Sequence, residues 1–150
     1  MKNLFDPEAL AEVTERFRRL RADAPRRWGT MTASQMVAHC AIASEMAVGD
    51  LLLPRAPIGY LFGRIVKPLA LGNDKPFRPN SPTARELVVK GEPAIDVERE
   101  RLLVLLDRFA AAGPAGCTTH PHAFFGKLTP DEWAVLMYKH LDHHLRQFGA

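Results

Sequence analysis

In the stretch YKHLDHHLRQFG (138–149), three of the chain's six histidines, His140, His143 and His144, fall within five positions of one another. An imidazole can accept a proton, hand one over, or hold a divalent metal through a ring nitrogen. Which of these it does depends on where it points. At about 100° per residue, Trp133, Leu136, Met137, Leu141, Leu145 and Phe148 cluster on one broad helical face. His140 and His144 fall inside that arc and His143 at its edge, while Lys139, Asp142 and Arg146 fall opposite. Spaced as i and i+4, His140 and His144 bring their Cβ atoms to ~5–6 Å. A single inward histidine is usually a core residue with its hydrogen bonds satisfied. Two are harder to accommodate, because each buried ring needs partners for a donor and an acceptor. A shared divalent cation removes that difficulty.

A third imidazole stands elsewhere. His39, in MVAHCAIASEM, shares a helical face with Gln35, Met36, Ile42, Ala43 and Met46, an otherwise apolar stripe. If its helix neighbours the last one, His39, His140 and His144 converge in the interior. Three histidines with an open position make a catalytic rather than a structural site, since structural zinc normally takes four protein ligands. The expected ion is Zn²⁺, Ni²⁺ or a similar divalent metal. Cys40 adjoins His39 but points about 100° away, as a small buried residue would. His143 reads as a partly exposed polar residue rather than a group supporting the ligands. His120 and His122, in THPHAFFGKLT, read as loop histidines beside a proline rather than groups at the mouth of the site. No carboxylate shares the faces of the triad, so no general base stands out. Gln35 and His143 are the polar candidates for a catalytic role, with Tyr138 behind them.

Four predicted helices position these residues. In FDPEAL, Asp6 is a candidate N-cap with Pro7 at the first helical position and Phe5 and Leu10 as a hydrophobic staple. Leu10, Val13, Phe17 and Leu20 continue that helix to about residue 21. In MTASQM, Thr32 and Gln35 form a capping box, opening a helix over 33–48 that stops at Gly49. A third helix spans about 97–112 and ends at Gly113–Pro114. The last begins in LTPDEW, with a Thr129–Glu132 box and Pro130 at the first position, and runs over 130–148. Between the second and third lie nearly fifty Pro- and Gly-rich residues, with a short helix expected near 57–70. So long a connection is expected to pack on the helices and to have a function, and it lets the third helix run parallel to the second. Strand alternation is weak everywhere, ELVVKG (86–91) being its best instance. The expectation is an all-α four-helix bundle forming one domain over residues 1–150.

Composition narrows the alternatives. At 150 residues the chain can bury a substantial core. Its 47% apolar and 25% charged residues are ordinary for a globular protein. The net charge of +3 and the single basic run RFRRLRADAPRR (16–27) lack the aromatic platforms or motif of a nucleic-acid binder. The most apolar stretch, LLLPRAPIGYLFGRIVKPLALG (51–72), is broken by Arg55, Arg64, Lys67 and three prolines, so no membrane span is expected. The N-terminus has no signal-peptide pattern. Cys40 and Cys117 lack metal-type spacing, and a reduced cytoplasmic protein follows as the expectation.

Three segments carry a resemblance: WGTMTASQMVAHC (28–40), KPFRPNSPTA (75–84) and HPHAFFGKLTPDEWAVLMYKHLDHHLRQFG (120–149). Together they are similar to the DinB/YfiT-like superfamily of metal-dependent enzymes, in a branch that is a domain of unknown function. The resemblance implies an up-down-down-up bundle and metal ligands at His39, His140 and His144. It also implies chemistry of the kind found in that superfamily, thiol S-transfer with a low-molecular-weight thiol or metal-dependent isomerisation, and homodimers are common there. The expected partner is a small molecule, with metal-activated thiol or water as the attacking group. A non-catalytic metal- or ligand-binding bundle, a dimer responding to stress, is the alternative.

Overall fold

The computed structural model describes residues 1–81 and 84–150. Five α-helices make up its regular structure: α1 (Pro7–Arg19), α2 (Ala33–Val48), α3 (Pro57–Leu71), α4 (Ile95–Ala112) and α5 (Pro130–Gln147). Two 3-10 turns, Arg85–Leu87 and Pro114–Gly116, complete it. Among the described residues there is no strand, only an isolated bridge between His122 and Gly126. ELVVKG does not form one; its first two residues close the turn at Arg85–Leu87.

The helix starts follow from local chemistry. Asp6 accepts the Glu8 N–H at 3.0 Å. Thr32 accepts the Gln35 N–H at 3.1 Å while the Gln35 side chain accepts the Thr32 N–H at 3.1 Å, which closes the capping box. The Thr129–Glu132 pair does the same for α5. Gly49 ends α2 in the left-handed conformation at φ 84°. The first helix stops at Arg19, two residues short of expectation, because Arg99 of α4 takes over its end. The guanidinium donates to the Phe17 and Leu20 carbonyls at 3.0 and 2.7 Å.

Around one core, α1 and α2 each pack against α4 and α5. Val13 and Phe17 of α1, Met36 and Val37 of α2, Leu102 and Leu106 of α4, and Leu141 and Leu145 of α5 belong to one buried apolar cluster. The expected short helix of the long connection is α3, fifteen residues long and lying against α5. Gly59 and Gly63 let it lie flush on the loop before α5. A Cβ at Gly59 would stand 2.6 Å from the Phe124 carbonyl oxygen, and one at Gly63 would strike the same atom. Neighbours on three sides leave α5 buried nearly all round. Lys139 and Asp142, expected on a solvent face, are therefore covered. Asp142 is satisfied by Arg16 at 2.9 Å and Arg146 at 2.7 Å. Lys139 donates to the Asn73 carbonyl at 2.9 Å and to that of Ala70, at the end of α3.

Candidate metal centre

Because α2 and α5 are neighbours, the inward stripes bearing His39 and the HxxxH pair face each other. The ring centroids lie 5.0 Å apart for His39–His140, 4.7 Å for His39–His144 and 4.6 Å for His140–His144. One nitrogen from each can be chosen so that all three lie within 4.8 Å of one another. His39 and His144 are buried.

The outer hydrogen bonds set the tautomers. His39 Nδ1 sits 2.9 Å from the Leu87 carbonyl oxygen, which can only accept, so the ring proton is on Nδ1 and the Nε2 lone pair faces inward. His144 Nδ1 sits 2.9 Å from Gln147 Oε1. The Gln147 amide is oriented by its Nε2, which donates to the Trp28 carbonyl at 2.9 Å. His144 therefore also turns its Nε2 lone pair inward. His140 Nε2 lies 3.0 Å from His39 Nε2, and its Nδ1 is buried without a partner. A proton on His140 Nε2 would bridge to His39 but leave His144 unserved. A cation accepts all three lone pairs. Nitrogens at ~2.0–2.1 Å from a tetrahedral zinc stand about 3.4 Å from one another; the His39–His140 pair stands at 3.0 Å and the whole set within 4.8 Å, close enough to share one ion.

Burial keeps the rings neutral, as ligands must be. Desolvation is the largest cause of the lowered pKa at each. The His39 value is lowered, with the Leu87 carbonyl opposing. That of His144 falls to about 3, with His39 adding to the effect. His140 is lowered well below the usual range, first by burial and then by His144 and His39.

The other sequence candidates fall into place differently. His143 is not partly exposed. It is buried beside His144, at 5.0 Å between centroids, under Trp28 at 5.6 Å and Phe77 at 6.2 Å. The wheel put it at the edge of the apolar arc, and the segments flanking α2 and α3 close over that edge. Gln35 lies one turn before His39, with its amide used up by Thr32 and the Gly91 carbonyl. Tyr138 faces α1, its hydroxyl 3.4 Å from Glu12. Cys40 is fully buried, 3.7 Å from the Met36 sulfur, and burial pushes its thiol pKa up. His120 is tied to the Leu53 carbonyl at 2.8 Å. His122 accepts two backbone N–H groups, from Phe124 and Phe125. Its edge meets Trp133, and burial with Arg55 nearby lowers its pKa to about 4. In the basic run, Arg16, Arg19 and Arg21 pair with Asp142, Glu15 and Asp23.

Sequence reasoning missed the supporting shell: Leu87, Gln147 and Trp28. Gln147 follows His144 by three residues, a spacing that brings side chains together on a helix. That signal was legible; the Leu87 and Trp28 carbonyls left none. Pro82 and Thr83 of the KPFRPNSPTA segment lie outside the described residues.

A family model described as "Protein of unknown function (DUF1569)" matches residues 2–150. No curated protein and no solved structure shows significant similarity to the chain. The chain belongs to the DUF1569 family.

Proposed function

We propose that this DUF1569 protein is a divalent-metal-dependent enzyme whose ion, Zn²⁺ or Ni²⁺, is held by the Nε2 atoms of His39, His140 and His144. The observation that carries the reading is the convergence of one nitrogen from each of three imidazoles within 4.8 Å, with two of the outer ring nitrogens locked, on Leu87 and Gln147. Such outer partners fix ligand orientation and raise basicity in metal sites. When bound by three ligands, such an ion can lower the pKa of water or of a thiol at its open position.

The chain's own groups do the rest. Leu87 and Gln147 hold the rings in register. His143 and Trp28 form an aromatic wall beside the ligands and keep bulk water off them. His143, neutral because burial lowers its pKa, is the ionisable group packed beside His144, with ring centroids 5.0 Å apart, and we assign it the part of proton carrier. Gln35 instead braces Gly91 over the start of α2. The substrate is a small molecule, a low-molecular-weight thiol with an electrophile or a hydrolysable compound.

The same reading places the chain as a single-domain, up-down-down-up bundle of the DinB/YfiT-like type. Packing of α1 and α2 each against α4 and α5 supports it, as does the long connection carrying α3. No helix of the described residues is long and apolar enough to cross a membrane. The free thiols Cys40 and Cys117 suit a reducing cytoplasm. Deep burial of His39 favours a second reading, in which the ion only stabilises the helices. A screen of zinc- and nickel-loaded protein with thiols plus electrophiles, and with ester and amide substrates, separates the two. Turnover that disappears in His140→Ala, with the fold kept, supports the enzyme. Absence of turnover together with a sharp loss of stability on metal removal supports the second reading.

A further inference from the structure

Three hydrogen-bond donors meet around the loop before α5. The first is Trp133, 2% exposed, whose indole Nε1–H is buried without an acceptor. The second is Arg55, whose Nε is also buried and unpartnered. Among the described residues no carboxylate pairs with Arg55; it donates to the Gly59 carbonyl at 2.9 Å and lies over the Tyr60 ring at 4.4 Å. The third is His122. Its Nδ1 accepts the Phe124 and Phe125 N–H groups at 3.1 and 3.2 Å, so the proton of the neutral ring is on Nε2.

The three are neighbours. The Trp133 indole meets the His122 ring edge-on, with 5.5 Å between centroids. His122 and Gly126 exchange backbone hydrogen bonds at 2.9 and 3.0 Å. Gly126, at φ +77°, leaves the space of a side chain to Arg55, whose Nη1 stands 2.6 Å from where a Cβ would be. A guanidinium without a counter-charge, an indole and a protonated imidazole nitrogen are all donors, and together they call for an acceptor that brings negative charge.

We infer that Arg55, Trp133 and His122 seat a carboxylate of the small molecule on which the metal centre acts, an inference that rests on the enzyme reading above. The single charge of Arg55 matches a monoanion, and its planar fork, with Nε unspent, matches the two oxygens of a carboxylate. A phosphate dianion would call for a second cation, and the one lysine of α3, Lys67, is already neutralised by Glu132 at 2.8 Å. The seat is within reach of the ligands. Trp133 precedes His140 by seven residues, two turns on the same face of α5 and roughly 10 Å along its axis. His122 is close enough to His140 for its charge to lower the His140 pKa. A molecule anchored by its carboxylate spans that distance with a short acyl chain.

The test is a proton–nitrogen NMR titration of the full chain with sodium butyrate, at ionic strength held constant with sodium chloride, in zinc-loaded and in metal-stripped protein. Trp28→Phe assigns the Trp133 indole resonance, and Arg55→Gln assigns the Arg55 Nε–H. Both resonances are expected to move downfield on one saturable curve, with dissociation constants in stripped and loaded protein within twofold of each other. Arg55→Gln should weaken binding at least tenfold. Trp133→Phe removes the N–H but keeps an aromatic ring, and should weaken it three- to fivefold; this variant carries the comparison if Arg55→Gln disturbs the loop. Absence of saturable shifts would overturn the inference. So would shifts confined to loaded protein, which would put the carboxylate on the ion, and so would tighter binding of inorganic phosphate than of butyrate. Metal content decides the enzyme reading separately: butyrate binding in a chain that takes up no metal would support the seat and overturn the enzyme.

Discussion

The two faces of α5 handle buried polarity in opposite ways. On one, Asp142 is covered and meets Arg16 and Arg146 within hydrogen-bonding distance. Lys139, also covered, caps the end of α3 through two carbonyls. Every charge there has its partner inside the chain. On the other face, two residues along, His140 and His144 bring neutral rings to His39 with their acceptors turned toward one another. One face is closed by its own sequence; the other needs something more. Buried polar groups without partners cost about 1–3 kcal/mol each, and a structure that keeps them together marks a ligand site more strongly than one that merely contains histidines.

Acid should separate the two faces most widely. In protein stripped of metal, the triad histidines have folded pKa values below the ordinary value of ~6.5, that of His144 near 3. The unfolded chain then binds more protons than the folded one throughout that window. Stability is therefore full above pH ~6.5 and falls as pH drops toward about 3, by up to ~1.4 kcal/mol per unit for each such histidine. Denaturant titrations between pH 8 and pH 4 measure the slope. A His144→Ala chain should lose a large part of it, and an unchanged slope would dissociate the site from the effect.

The next effect is on affinity. His144→Ala removes a ligand and should weaken zinc binding more than a hundredfold in a competition titration with a chromogenic chelator. Gln147→Leu keeps the ligands but frees the His144 ring, and a loss of ~10–100-fold is expected, as for other outer partners of metal-binding histidines. Gly29→Ala approaches the same contact from the other side. Gly29 has φ +75° and a Cβ there would stand 2.6 Å from Gln147 Nε2, so a milder loss of zinc affinity in the same titration is expected. The smallest expected change in metal binding is at Asp142→Asn. It weakens the ion pairs to Arg16 and Arg146 and should lower stability by about 1–3 kcal/mol, while zinc affinity stays within twofold. A coupled loss of zinc there would erase the distinction between the faces.

What the sequence disclosed follows the range of the interactions. Thr32 with Gln35, and Thr129 with Glu132, act within one turn, so both capping boxes could be read directly. The inward direction of His39, His140 and His144 could also be read, because helical periodicity alone sets it. The Leu87 carbonyl that fixes His39 lies 48 residues away, and the Trp28 carbonyl that orients Gln147 lies 119 away. Backbone acceptors carry no residue signature, so such ties leave no trace in a pattern of side chains. The burial of Lys139, Asp142 and His143 was misjudged for a related reason. A helical wheel gives the direction of a side chain, but not whether α1, α3 or a loop will cover it.

The most direct measurement is metal content, by elemental mass spectrometry of untagged, gel-filtered protein beside His140→Ala. The expected result is about one divalent ion per chain in the wild type and none in a variant that remains folded. No metal in either, even after reconstitution with zinc or nickel, would contradict the central claim and leave the three rings as core residues.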